Sequence, residues 1–299
     1  MKKSIVVLLS AILAISFSGC KQIVNDSVGV NKNNAGVSEN NASNLALAST
    51  GISVTPDFPA VRLISGSEKN IINVKKYGAV GDGKNDDTKA VISAIKAAEK
   101  KSGILYFPAG SYIVGDVTVP ENIACGINGE IFIKSGCTFT VESKEIYFPK
   151  NKIFDGDGNV GLFTGIGYCY PEWFGASTYS SDNSSAFQKA VNCAEVVYVS
   201  RGKYIFKNSV ILPQDSEVTI VGMGAESTNF NLDGNSDLIA FKYDYSSGKP
   251  SKFNFKFLYF SSNINDYPYD KNVEDYPSLL SYNGTQEHQD GSVNLQTVR

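Results

Sequence analysis

The chain has 299 residues, 42% of them hydrophobic and 19% charged, which allows a buried core and fits either one long domain or two short ones. That composition excludes a chain disordered throughout. A formal net charge of −3, from 27 basic and 30 acidic side chains, excludes an overall basic face of the kind that binds nucleic acid.

Lys2 and Lys3 precede an apolar run from Ile5 to Phe17 that is too short to span a bilayer comfortably, so residues 1–19 read as a secretory signal. The run ends in Phe17-Ser18-Gly19-Cys20, which resembles a bacterial lipobox. That resemblance implies a lipid on Cys20 and an exported protein anchored to a membrane of the cell envelope, at the outer membrane or the cell surface. An ordinary signal peptide with an incidental cysteine is the alternative. Residues 20–70 follow as an expected flexible tether, since the stretch from Lys21 to about Pro59 is rich in Asn, Ser, Ala and Gly and carries no sustained apolar period. Four cysteines remain beyond it, Cys125, Cys137, Cys169 and Cys193. Export permits two bridges in any of three pairings, and buried free thiols satisfy the same sequence.

Ile71–Val74 reads as a first short strand. Tyr77 to Thr88, YGAVGDGKNDDT, then reads as an Asp/Gly turn emptying into a helix over Lys89–Lys101, whose Val91, Ala94, Ile95 and Ala98 form one apolar stripe. Asp86 and Asp87 stand where carboxylates accept free helix N–H groups; Lys96, Lys100 and Lys101 crowd the other end, and Gly103 is placed as the stop. A strand Ile104–Phe107, the turn PAGS and a strand Tyr112–Val114 complete the unit. This unit resembles the opening of the pectate-lyase-like superfamily, which includes rhamnogalacturonases, polygalacturonases, epimerase-like proteins and phage tailspike modules. The resemblance implies a right-handed parallel β-helix whose open end is covered by the short helix, with Asp82, Asp86 and Asp87 as structural cap residues rather than a reacting centre.

Short runs rich in Ile, Val, Phe and Thr continue at Val117–Val119, Gly129–Ile133, Thr138–Val141 and Glu145–Phe148. They suit the coils of a solenoid, although an antiparallel sandwich has similar punctuation. The opening pattern then returns: Trp173-Phe174-Gly175-Ala176 matches Lys76-Tyr77-Gly78-Ala79, Phe187, Ala190, Val191 and Ala194 take helical spacing, and Val196–Phe206 matches Ile104–Val114 block for block. The offset falls from 97 at Gly78/Gly175 to 92 at Gly110/Gly202, and STYSSDN stands where VGDGKNDD stood. The expectation is an all-β chain of two tandem β-helical units with short capping helices, an abbreviated one over 71–165 and a second over 166–299 that is either short or truncated. Further runs at Glu217–Val221, Phe230–Leu232, Leu238–Tyr243 and Phe253–Phe260 lead into a Tyr-rich tail.

The family resemblance implies action on polysaccharide, including uronic-acid polymers, by a lyase or a hydrolase. Lyases of the group need a base beside a uronate carboxylate and usually calcium, and hydrolases need facing carboxylates. Arg201, in the turn between two strands of the second unit, is the candidate base or uronate-binding group; a surface turn residue is the plainer reading. Asp155-Gly156-Asp157-Gly158-Asn159 offers alternating oxygens, so Asp155 and Asp157 are candidate calcium ligands, although a plain turn has the same composition. No Gly-His-Gly or Arg-Ile-Lys occurs, and the single histidine, His288, lies in the polar tail. Tyr243, Tyr245 and Tyr259 are candidate sugar-stacking rings. The leading expectation is a lipid-anchored polysaccharide-engaging protein; a noncatalytic surface scaffold, carbohydrate-binding or adhesion module on the same fold is the alternative.

Overall fold

Brief β-branched and aromatic runs separated by Gly, Asn and Asp cannot pair with themselves, and the chain solves this by pairing each run with the equivalent run further along. The structure, a computed structural model, describes residues 57–64, 70–211, 216–224, 226–233, 239–244, 252–262, 278–283 and 292–296. The chain begins with β1 (Ile71–Asn73), a 3₁₀ turn (Val74–Tyr77), β2 (Asp82–Asp86) and α1 (Thr88–Lys101). Three triplets follow: β3 (Ile104–Phe107), β4 (Ser111–Val114) and β5 (Val117–Val119); β6 (Ala124–Ile127), β7 (Glu130–Ile133) and β8 (Thr138–Val141); β9 (Ile146–Tyr147), β10 (Phe154–Gly156) and β11 (Asn159–Val160). They stack into three sheets of order β1-β3-β6-β9, β10-β7-β4-β2 and β11-β8-β5.

The pattern restarts with β12 (Tyr168–Cys169), a second 3₁₀ turn (Pro171–Phe174) and α2 (Ser184–Val191). It continues through β13 (Val196–Tyr198), β14 (Gly202–Phe206), β15 (Val210–Ile211), β16 (Glu217–Val221), β17 (Thr228–Leu232), β18 (Ile239–Asp244), β19 (Lys252–Lys256), β20 (Tyr259–Ser262), β21 (Ser278–Asn283) and β22 (Ser292–Gln296). A second set of sheets has orders β12-β13-β16-β19-β22, β14-β17-β20 and β15-β18-β21. Every strand pairing among the described residues is parallel, which removes the antiparallel sandwich. The connections lengthen along the chain. Ile104 faces Ala124, 20 residues on, whereas Thr219 faces Asn254, 35 on, and Asn254 faces Asn294, 40 on.

Inward positions alternate with outward ones, as Leu105 and Phe107 or Val218 and Ile220 show, and the inward rings stack in two runs. Phe107, Phe139, Phe154 and Phe163 follow one another at 5.9–6.2 Å between centroids, and Trp173 meets Phe148 at 5.3 Å, Phe163 at 5.5 Å and Tyr170 at 5.3 Å. Phe187, Phe206, Phe230, Phe241 and Phe255 form a second run. Pairs at these separations add to the gain from burial.

Several local expectations are corrected. The Asp/Gly stretch is a strand, β2, with an irregular register against β4. Ser102, at φ 45°, takes the left-handed position that closes α1, and Gly103 is needed for space: a Cβ there would lie 2.6 Å from the Asn70 carbonyl oxygen. Asp155 belongs to strand β10 rather than to a free turn. The four cysteines after Cys20 are free thiols, with Cys125, Cys169 and Cys193 buried. Residues 57–64, within the expected tether, lie against the protein, because Phe58 and Ile64 find apolar partners there.

Candidate functional site

The two capped starts use one hydrogen-bonding scheme. Asp86 accepts the Thr88 amide at 3.0 Å and the Thr88 hydroxyl, and Thr88 Oγ1 accepts the Gly115 amide at 2.7 Å. In the second start Asp182 accepts the Ser184 amide at 2.9 Å and hydroxyl at 2.5 Å, and Ser184 Oγ accepts the Asn208 amide at 3.0 Å. Asp87, 1% exposed, turns away from the helix and accepts the Val80 and Gly81 amides; Asn183 accepts the Ser177 amide and donates to the Ile205 carbonyl. The Lys134 ammonium, followed by Thr88, holds the Asp86 carboxyl far below its usual range. Burial raises the Asp182 carboxyl, but donors from Ser184, Lys207 and Asn208 outweigh it and bring it below the usual value. Asp82 accepts the Asn85 and Lys84 amides, which lower its carboxyl. All these carboxylates are engaged by the fold.

The remaining candidates are dispersed. Arg201 is exposed in the turn between β13 and β14. Asp155 is paired with Lys152 at 2.5 Å, a lysine shared with Glu130 at 3.3 Å, while Asp157 is exposed. Among the described residues no three His, Cys, Asp or Glu side chains converge as metal ligands. Tyr259 is half-buried on β20, Tyr243 lies in β18, and Tyr245, His288 and Cys20 lie outside the described residues.

A different group converges where the first set of sheets gives way to the second. Register places Tyr168 beside Val196, then Thr219, then Asn254 on the outward side of the sheet, while Cys169 and Val197 point inward. Tyr198 stands on the same outward side, and Tyr168, Tyr170 and Tyr198 lie 5.8–6.0 Å apart between ring centroids. Asn254, 9% exposed, donates to Thr219 Oγ1 and to the Glu217 carboxylate at 3.2 Å each, so the row past the tyrosines carries a hydroxyl, an amide and a carboxylate. Lys150 Nζ sits 4.5 Å from the Tyr170 ring centre. Burial lowers the Lys150 ammonium, and the nearby Glu172 carboxylate partly offsets this. Burial also pushes the Tyr170 hydroxyl well above its ordinary value. The hydroxyls and amides can hydrogen-bond to sugar OH groups, and the ring faces can stack on sugar rings.

The segment 57–64 lies over this group. Phe58 rests on Tyr198 with centroids 4.9 Å apart, and the Pro59 carbonyl accepts the Tyr170 hydroxyl at 3.0 Å. Arg62 pairs with Glu145 at 2.9 Å, donates to the Tyr147 hydroxyl at 3.2 Å and lies 4.7 Å from that ring. Each contact is of a kind worth about 1 kcal/mol or less where exposed, so several weak contacts hold the segment rather than one strong one.

Sequence reasoning missed Phe58, Arg62, Lys150, Tyr168, Tyr170 and Tyr198. Two signals pointed to them: the apolar FPAVRLI inside an otherwise polar stretch, and Tyr168 and Tyr170 at strand spacing directly before PEWF.

Residues 71–123 match the family described as rhamnogalacturonase A/epimerase, pectate lyase-like. Among relatives, a mannuronan C5-epimerase of Azotobacter vinelandii is 44% identical over 62 residues, 20% of this chain and 3% of its own length. The plasmin and fibronectin-binding protein A of Streptococcus pneumoniae is 46% identical over 52 residues, 17% of this chain and 7% of its own. The matches thus span only a few per cent of these relatives. The solved structure of PfbA, a surface adhesin of Streptococcus pneumoniae, aligns over 77% of this chain and 57% of its own at 15% identity and a TM-score of 0.27, too low to carry an argument. The opening segment, residues 71–123, is thus similar to the pectate-lyase-like family, and the parallel pairing of the described strands agrees with that likeness.

Proposed function

We propose that this is an exported, lipid-anchored protein of the bacterial cell envelope that binds polysaccharide on the outward face shared by β12, β13, β16 and β19. In this reading residues 1–19 are the leader, Cys20 carries the lipid, and 71–165 and 166–299 are tandem right-handed parallel β-helical units. Right-handedness follows the rule for parallel crossovers in one sheet. The observation that carries the reading is the group Tyr168, Tyr170 and Tyr198 beside Lys150, continued by Thr219 and Asn254. Stackable rings there adjoin hydroxyl, amide and carboxylate hydrogen-bonding groups, which suits a run of sugar residues. The Azotobacter relative is named for action on mannuronan and the pneumococcal one for binding at plasmin and fibronectin, so the superfamily segment occurs both with polysaccharide enzymes and with binding proteins.

One observation favours a second reading. Lys150 is a partly buried amine with a lowered pKa on the same face, and an amine of that kind can take the proton beside a uronate carboxylate. A single panel separates the two readings. The purified protein is titrated with polymannuronate, polygalacturonate and a neutral β-glucan, while reducing ends and the ultraviolet absorbance of unsaturated products are followed. Binding without either product is the expected result. Product formation would move the assignment to an enzyme, and failure to bind any of the three would remove it.

A further inference from the structure

The face assigned to saccharide is not open: residues 57–64 cross it. Phe58 stacks on Tyr198 at 4.9 Å and approaches Tyr170 at 6.4 Å, and the Lys150 ammonium lies 5.2 Å from the Phe58 ring and 4.5 Å from that of Tyr170. Phe58 thus has the ring partners and the cation that a stacked ligand would use. Further on, Arg62 is caught by Glu145 and Tyr147. Among the described residues no backbone N–H or C=O of 57–64 pairs with another backbone group, so the segment takes no part in the sheet ladders. It can lift without breaking a sheet.

We propose that this strap is an autoinhibitory latch, in which Phe58 fills the place of a sugar ring over Tyr170 and Tyr198 and the Arg62–Glu145 pair holds it shut. The proposal rests on the saccharide reading above and adds that strap closure and saccharide binding exclude each other. A ligand then binds only the fraction of molecules with the strap lifted, and its apparent affinity falls by that fraction. The strap also covers the single tryptophan of the chain: a cleft between strap and sheet is lined by Ala60 and Val61 above and by Tyr168, Tyr170 and Trp173 below. Lifting the strap therefore changes the access of quencher to Trp173.

The test uses the whole protein with Phe58→Ala or Arg62→Gln, neither of which is on the sheet face itself. Acrylamide quenching of Trp173 without ligand reports closure, and titration with oligomannuronate and with a neutral β-glucan oligosaccharide reports binding. Both variants should quench more readily than wild type, and affinity should tighten by about tenfold if the strap is shut about nine-tenths of the time. In the wild type, saturating saccharide should speed chymotryptic cleavage after Leu63. Easier quenching with unchanged or weakened affinity would overturn the latch and make the strap part of the binding surface. Quenching unchanged in both variants would overturn closure itself. If quenching responds while no variant binds saccharide, the saccharide reading fails and autoinhibition fails with it, although the strap is then still shown to be detachable.

Discussion

The Glu172 carboxylate is 8% exposed and uses one oxygen to accept both the Ser200 amide at 3.1 Å and the Tyr204 hydroxyl at 2.8 Å. Burial, reinforced by that carboxylate, pushes the Tyr204 hydroxyl far above its ordinary value. Glu172→Ala strands two buried donors and should cost about 2–4 kcal/mol in urea unfolding, whereas Glu172→Gln keeps the acceptor and should cost clearly less. Equal losses would mean that the contact is not what Glu172 supplies. In the first start the equivalent position is Lys75, whose ammonium donates to the Ala109 carbonyl at 3.2 Å, so the two copies reach the same turn with opposite hydrogen-bonding sense. A comparison of residue types between the copies cannot reveal this, because the shared feature is a position and the chemistry is reversed. Asp86 was partly legible, since a carboxylate before a helix suits its free N–H groups, whereas Asp182, inside STYSSDN, was not singled out. That Asp87 would instead turn back to Val80 and Gly81 depends on the path of the chain. Both Asp86 and Asp182 have carboxyls lower in the folded state than in the unfolded chain. Their stabilisation is therefore present above the unfolded carboxylate range near 3.9 and is lost as pH falls through the folded values. Asp182→Asn should accordingly flatten the acid limb of the stability profile below about pH 4. An unchanged limb would contradict the assignment.

Turns that follow paired parallel strands lie directly on one another, and this sets where glycine is required. At Gly129 a Cβ would sit 2.6 Å from the Gly110 carbonyl oxygen and 2.7 Å from that of Pro108, both backbone atoms that cannot move aside. At Gly136 the backbone is left-handed, with φ +75°, but nothing lies within 4 Å. Gly129→Ala should cost about 1–3 kcal/mol as overpacking, and Gly136→Ala only the roughly 1 kcal/mol of the backbone conformation. Thermal unfolding of the two variants would show whether coil stacking or turn conformation dominates; the reverse order would speak against close-stacked turns. The helix, the first strand and the repeated opening were legible because their periods and punctuation are local. Strands β6, β10 and β12 were not, because ENIACGI, FDG and YC pair only with chain 20 or more residues away, so their extended form is imposed by the neighbouring coil.

Across the molecule, the parallel pairing was foreshadowed by the repeat, whereas the proposed binding face was not. Tyr168, Tyr170 and Tyr198 meet only once the second start is laid on the first, and Phe58 reaches them from more than 100 residues away. The anchor is a separate matter and is tested separately. Cys20→Ser should move the protein from the detergent phase to the aqueous phase in a detergent partition, and unchanged partition would remove the lipid. The central claim concerns the face, and calorimetric titration of the wild type and of the Tyr168→Ala/Tyr198→Ala double variant with the oligosaccharide that binds best tests it most directly. Loss of two stacking rings, each worth about 0.5–1.5 kcal/mol, predicts a weakening of roughly five- to a hundredfold with the fold intact by circular dichroism. A double variant that binds as tightly as the wild type would place the saccharide elsewhere and contradict the account.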